Sequence, residues 1–469
     1  MEAPRLRNLF LLVFGLIFAA AFWSLQDQVL LLFGAHGLAP ACEPLEKALR
    51  QSSWWSAPTL FRFGCNDGLL RAGTLVGVAL GGLLALGVAP VFCLAGLWLL
   101  YLSYATIGSP FLDFQWDNLL LETAFFSLFL APWSRQRRYR APSPWAIFLM
   151  QWLLFRLHFE SGVAKLASGD PTWRDLTAMV SYYETAPLPT WLGWYAHQLP
   201  EWVQRLSSGL TLAIELIVPF FLWGPRPLRW LALLSFTAFQ SLVLLTANYT
   251  IFNYLSLALC LFVLVTPGGT PLLRTSRSCA AERARWFGPM APIAVILVGL
   301  TLLPFLRVVG SGSEASASVA QALAPLRTFN AYHLFASMTL VRREAVIEGS
   351  DDGVDWRPYE FRYKPGDPQF PPMFVAPHQP RVDFQMWFLL LGRRGAPYFD
   401  RLLRLLIENP SVVRPLFRVD PFPDHPPAML RVAIYSYRFS NPQTRRETGA
   451  WWDRTLESHT RVLTRDSFG

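Results

Sequence analysis

Nine apolar runs, separated by short connections rich in arginine, proline or glycine, occupy the first two thirds of the chain: residues 8–33, 69–89, 91–107, 111–132, 145–173, 206–223, 228–246, 251–266 and 287–309. A run of about 20 apolar residues is long enough to cross a bilayer as a helix. The pattern therefore predicts a polytopic α-helical membrane bundle of about nine segments. Two stretches are irregular. Runs 69–89 and 91–107 meet at Pro90, which reads as a tight hairpin or as one kinked element. Run 111–132 holds only about a dozen apolar residues behind an acidic entry, short of a full span. It predicts a short, broken or re-entrant helix.

Behind Val309 the pattern changes. Residues 310–325 read as a small-residue linker between a transmembrane domain, 1–309, and a β-rich (α+β) domain, 326–469. Tyr359, Phe361 and Tyr363 alternate with Glu360, Arg362 and Lys364, the period of a half-buried strand. With residues 345–348 and a turn at 350–353 they predict a hairpin. Residues 430–439 alternate too, and 397–408 have the spacing of an amphipathic helix. Residues 34–68 read as a loop without a sustained helical pattern.

Composition sharpens this picture. With 53% hydrophobic and 16% charged residues and a mean hydropathy of +0.30, an ordinary soluble protein is excluded. The formal charge of +9 does not imply nucleic acid, because the arginines cluster in short connections, as orientation signals do. Arg5 and Arg7, then Arg135, Arg137, Arg138 and Arg140, then Arg226 and Arg229, then Arg274, Arg277, Arg283 and Arg285 all fall on one side of nine crossings. That side is expected to be cytoplasmic, which places the N-terminus inside and everything after Gly310 in the exoplasmic space. Cys42 and Cys65 then share an oxidising side and are disulfide candidates. Cys279 is expected in the cytosol, and Cys93 and Cys260 in the membrane. The sequon Asn248-Tyr249-Thr250 is expected too close to the bilayer for glycosylation. Lysine occurs only at Lys47, Lys165 and Lys364, an arginine bias that suggests a GC-rich bacterial genome.

One run breaks the apolar rule. Residues 145–173 carry Arg156, His158, Glu160 and Lys165 toward their far end, and an intramembrane charge costs roughly 3 kcal/mol on insertion scales. On a helix Arg156 and Glu160 stand four apart and form an internal pair. His158, Ser161 or Gly162, and Lys165 line another face, leaving one unpaired cation. Either the pair serves insertion while Lys165 snorkels to the interface, or the helix walls a polar pocket in which Lys165 and His158 react. Asp113, Asp117 and Glu122 would approach one region as counter-ions for Lys165 or Arg156, or simply occupy a helix N-terminus. Glu215 is a further intramembrane carboxylate. Glu184, His197, His378 and Asp383 are candidates for ligand or client contacts at an outer mouth. Phosphate-binding, dinucleotide, nucleophile-elbow and HExxH signatures are absent, as are CxxC and metal-ligand spacings. No metal and no cofactor is expected.

The stretches FQWDNLLLE, RLHFESGVAKLASGDPTWRDLTAM, YYETAPLPTWLGWYAHQLP, NYTIFNYLSLALCL, VIEGSDDGVDWRPYEFRYKPGD and VAPHQPRVDFQMWF, in that order, resemble the lipase maturation factor family from about residue 111 to 452. The resemblance implies a protein of the endoplasmic reticulum membrane in eukaryotes, whose lumenal C-terminal domain assists folding and assembly of secreted homodimeric lipases. For a bacterial member the inner membrane is implied. The expected partners are a lipase-like secreted client and membrane lipid. More locally, SGVAKL followed by a Trp is similar to the segment of vitamin K-dependent carboxylases in which a lysine is the catalytic base, and Lys165 falls on that position. Three functional readings follow: a membrane-anchored folding factor, a lysine-base membrane enzyme, and a lipid or small-molecule transporter. They differ in whether Lys165 lies in a wet pocket or a sealed ion pair.

Overall fold

The computed structural model describes residues 2–49, 55–133, 140–266, 289–392 and 396–468. Trp54, Arg135, Arg137, Arg138, Arg274, Arg277, Cys279, Arg283, Arg285 and Phe287 lie outside them. Among the described residues five helices are long and apolar enough to cross a membrane: Ala3–Gln26, Asp67–Ala85, Pro90–Ile107, Arg226–Thr246 and Met290–Val308. The remaining runs give shorter or charged elements. Gln115–Leu130 has 16 residues. Pro144–Ala167 is 24 residues long but carries the ionisable groups. Run 206–223 becomes Glu201–Leu216 and a 3-10 turn, Val218–Trp223, because Pro219 has no amide to continue the ladder. Run 251–266 likewise divides into Phe252–Cys260 and Leu261–Leu264.

Pro90 opens a new helix, and the preceding turn places Gly87 at φ +72° and Ala89 at φ +39°. Runs 69–89 and 91–107 are therefore two antiparallel neighbours. The first packs on Ala3–Gln26 at Gly15 and Gly81, where an added Cβ would fall 2.5 Å from the Ala85 amide nitrogen or 2.8 Å from that of Ala19. Small residues of this kind let membrane helices approach backbone to backbone. Helices Arg226–Thr246 and Met290–Val308 turn Leu234, Leu242, Val295 and Ile296 outward, as lipid-facing helices do.

The loop 34–68 is more ordered than its sequence pattern suggests, since Cys42–Leu49 is helical and Cys42 is disulfide-bonded to Cys65. The small-residue linker also contains a helix, Glu314–Leu323, capped by the Ser313 side chain. Its alanines favour helix where no packing decides otherwise.

The C-terminal domain is built on an antiparallel sheet of order β2-β1-β5-β6, with β7 also pairing with β5. Its strands are β1 (Arg342–Ser350), β2 (Arg357–Pro358), β5 (Met429–Phe439), β6 (Trp452–His459) and β7 (Leu463–Thr464); β3 (Glu360–Phe361) pairs separately with β4 (Phe417–Val419). The predicted hairpin is only partly realised. Strand β2 is two residues long, Tyr359 still donates to the Ile347 carbonyl at 2.8 Å, and the chain then leaves to pair with β4. Strand β1 instead pairs along its whole length with β5, from Arg342 opposite Tyr437 to Ser350 opposite Met429. Helix Arg381–Leu389 packs against β1, and Pro397–Glu408 is the expected amphipathic helix.

Candidate functional site

The charges of helix Pro144–Ala167 are closed by residues from distant parts of the chain. Arg156 is fully buried. It donates from Nε to Glu160 Oε1 at 2.8 Å, from Nη1 to Glu122 Oε1 at 2.5 Å, and from Nη2 to the Asn330 carbonyl. The other carboxylate oxygens are also taken: Glu160 Oε2 accepts the Tyr332 amide (2.9 Å), and Glu122 Oε2 accepts the Tyr332 hydroxyl (2.8 Å) and the Asn330 side-chain amide (3.0 Å). A buried ion cluster is tolerable only when its lone pairs and protons are satisfied in this way.

Lys165 is 3% exposed and is not the unpaired, snorkelling cation that the local spacing suggests. Its Nζ donates to Glu215 Oε1 at 2.9 Å and to the Leu334 carbonyl at 2.7 Å, and lies 5.1 Å from the centre of the Trp173 ring. Gly162 makes the pair possible. A Cβ there would stand 2.9 Å from Glu215 Cβ, so the helix can come this close to Glu201–Leu216 only with glycine at the contact. His158 is held by its Nδ1 against the Leu154 carbonyl (3.0 Å) and by its Nε2 against the Gln240 side-chain amide (3.2 Å). A cavity of about 80 Å³ lies between His158, Ser161, Lys165, Glu215 and Gln240, with aromatic walls that include Trp173.

The acidic entry does not converge on one region. Its helix begins at Gln115, which leaves Asp113 in the preceding loop, paired with Arg327 at 2.7 Å. Asp117 accepts both Arg381 terminal nitrogens at 2.9 Å and the Tyr101 hydroxyl. Glu122 alone reaches the charged helix, at Arg156. Three carboxylates thus serve three different arginines, and the counter-ion of Lys165 is Glu215.

Residues 327–338 link these clusters. They leave the linker and run back against the membrane helices, contributing Arg327, Asn330, Tyr332 and the Leu334 carbonyl. Asp170 of the DPTW stretch pins the far end: its side chain caps helix Pro171–Arg174 and accepts the Met338 amide at 2.6 Å. Trp173 Nε1 donates to the Phe335 carbonyl at 3.0 Å. Burial pushes Asp170 upward, but the Met338 amide and the Thr172 hydroxyl and amide hold it below the ordinary carboxylate range.

The four outer-mouth candidates form two separate packing groups. Glu184 lies 3.6 Å from His197 and accepts the Phe439 amide. His378 contacts Ser24 Oγ at 3.1 Å, and Asp383 accepts the Tyr363 and Lys364 amides. Burial lowers the pKa of His197, against the pull of Glu184, and that of His378. It pushes Asp383 up to about 6 despite the two amide donors. Further ties join the domains: Arg342 donates to the carbonyls of Glu184, Ala186 and Pro187. Asn248 of the sequon is 1% exposed and bonds Leu188, Met373, Val375 and Ala376. Its amide is a packing element here. Among the described residues no group of His, Cys, Asp and Glu is arranged to hold a metal ion.

Arg327, Asn330, Tyr332 and Arg381 escape the reading of the sequence. Charge counting gives the one available signal. Asp117, Glu122, Glu160 and Glu215 are four carboxylates in apolar runs that contain only Arg156 and Lys165 as central cations. Buried charges need partners, so at least one further cation has to come from outside those runs, as Arg381 does.

Residues 5–267 match the family of the lipase maturation factor transmembrane domain, and residues 328–461 that of the lipase maturation factor C-terminal domain. Human lipase maturation factor 2 is 32% identical over 97% of this chain and 82% of its own length. The rat protein of the same name is 31% identical over 96% and 81%. Bovine lipase maturation factor 1 is 30% identical over 96% and 87%. No solved structure matches the chain. With five apolar helices and both domain families matched in order, the chain is a multi-pass membrane protein that belongs to the lipase maturation factor family.

Proposed function

We propose that the chain is a membrane-anchored maturation factor that helps an exported, lipase-like client to fold. The helical bundle is the anchor; the β-rich domain and the adjoining loops meet the client on the exoplasmic side. The observation that carries this reading is similarity to lipase maturation factors through both domains, over 97% of the chain. The arginine distribution supports a cytoplasmic N-terminus, and the Cys42–Cys65 disulfide suits an oxidising opposite side. The membrane is the bacterial inner membrane, or that of the endoplasmic reticulum in a eukaryotic cell. A folding role is favoured over a lysine-base reaction because the Lys165 ammonium is spent on Glu215 and the Leu334 carbonyl. A general base has to reach the proton it removes.

The test is co-expression with a secreted homodimeric lipase in cells lacking their own factor. Truncation after Gly310 is expected to abolish the gain in secreted lipase activity, while Lys165→Ala at equal membrane abundance retains most of it. Photocrosslinkers placed on exposed positions of β6 should capture the lipase. Loss of activity with Lys165→Ala at unchanged abundance and melting temperature would instead favour chemistry at that lysine.

A further inference from the structure

The maturation reading makes no use of the cavity beside Lys165, and the polar groups around that cavity are incompletely satisfied. Glu215 Oε2 lies 2.8 Å from the Lys165 ammonium but is buried without an aligned hydrogen bond. The Tyr249 hydroxyl accepts from Tyr182 at 3.1 Å, which leaves its own hydrogen without an acceptor among the described residues. Trp116, also in the cavity wall, has a buried indole Nε1 without a partner among the described residues, so the site offers one acceptor, Glu215 Oε2, and two donors, the Tyr249 hydroxyl and the Trp116 indole. Its charge is already balanced by the Lys165–Glu215 pair, so a charged ligand would bring an uncompensated charge into an apolar setting, at high cost.

The rest of the wall is apolar and aromatic. Leu334 and Phe335 of the 327–338 segment line the cavity. Between helices Glu201–Leu216 and Arg226–Thr246 the wall is formed by Thr211, Phe239 and Val243, all half-buried. Leu210 and Leu242, on the same two helices, are exposed on the outer apolar face. This side of the cavity lies next to that exposed apolar face, the kind of surface a bilayer covers. A volume of about 80 Å³ takes a small head group and its first carbons, with the remainder of a chain lying outside.

We propose that this cavity binds the hydroxyl head of a neutral, single-chain amphiphile, a long-chain alcohol or a monoacylglycerol. The ligand hydroxyl donates to Glu215 Oε2 and accepts from Tyr249, and the tail passes between Thr211, Phe239 and Val243 into the bilayer. The ligand would brace Leu334 and Phe335 from below. This role is independent of which client the protein serves.

The full chain in phosphatidylcholine nanodiscs, photolabelled with a diazirine-bearing long-chain alcohol, provides the test. Label should concentrate on peptides containing Thr211, Phe239 and Val243. Unlabelled hexadecanol should compete, and stronger competition by a monoacylglycerol would identify the glyceride as the source. Hexadecane, and palmitate at mildly alkaline pH, should compete about tenfold more weakly, a difference of about 1.4 kcal/mol. Val243→Trp, which fills the lipid-side opening, should lower labelling at unchanged melting temperature; Thr211→Phe blocks from the facing helix should the first variant misfold. Label spread evenly over the outer face of Met290–Val308 would overturn the site. Equal competition by palmitate would overturn the assignment of a neutral head.

Discussion

The Arg156 and Lys165 clusters stand on the same helix, both almost wholly excluded from solvent, yet they are finished differently. Around Arg156 two elements, its own helix and residues 330–332, supply donors until each oxygen of Glu122 and Glu160 is used. Around Lys165 there is one carboxylate, one carbonyl and a cavity. The first arrangement has no freedom left and acts as a structural rivet joining helices Gln115–Leu130 and Pro144–Ala167 to residues 330–332. The second keeps room beside a buried ion pair. Burial and charge alone do not separate the two; the state of the lone pairs does.

The difference is sharpest when the cations are removed. Arg156→Met leaves Glu122, Glu160 and the Asn330 carbonyl without their shared donor. Breaking a saturated buried cluster costs about 3–5 kcal/mol, seen as a large fall in melting temperature in detergent and early proteolysis at residues 327–338. Adding Glu160→Leu should restore little, because Glu122 stays unpaired. Lys165→Met should cost less, about 1–3 kcal/mol, since Glu215 borders a cavity that can admit water. Here the double variant Lys165→Met with Glu215→Leu should recover most of the loss, a strong coupling in a double-mutant cycle. Equal costs for the two cations, or equal rescue, would show that the clusters are the same kind of structure.

This contrast also marks where the sequence becomes unreadable. The Arg156–Glu160 pair is legible because helical spacing is local, and both residues carry their own periodicity. The strand 429–439 and the helix 397–408 are legible for the same reason. Arg381 pairs with Asp117 across 264 positions, and Glu215 meets Lys165 across 50; no period in the sequence encodes such distances. The segment 327–338 is harder still. It has neither regular structure nor charge density, and its main contributions are backbone carbonyls and amides, which every residue possesses. Pro219 is visible in the sequence, but that the chain continues past it as a 3-10 turn depends on the elements packed around it.

A smaller effect tests the saturation of the Arg156 cluster directly. Tyr332→Phe removes one donor from Glu122 Oε2 while Asn330 still donates to the same oxygen. The cost should be about 1 kcal/mol, with a local rise in hydrogen exchange at residues 330–333 and little change elsewhere. A cost equal to that of Arg156→Met would mean that the hydroxyl, rather than the guanidinium, organises the cluster.

The smallest expected effect is a pH response at the Lys165 end. His333, in the segment that closes both clusters, lies outside the membrane helices. Its Nδ1 faces the Gln115 side-chain amide. Although the residue is exposed, partial desolvation by the surrounding residues lowers its pKa, and the Lys165 charge lowers it further. A histidine depressed in the folded state stays neutral there while the unfolded or undocked segment takes up a proton. The segment is therefore held fully above about pH 6.5, the ordinary histidine value, and loses stability as pH falls below it. His197 and His378 have the same sign. Asp383, raised to about 6, has the opposite one, because the folded protein takes its proton first as pH falls. Exchange at residues 332–338, corrected for the intrinsic rate, isolates His333 from the global balance. It should quicken between neutral and mildly acidic pH, and the response should shrink in Lys165→Met, where a neighbouring charge no longer opposes protonation. An unaltered response in that variant would detach His333 from the lysine cluster. The closing segment would then answer to acid through the local desolvation of His333 alone.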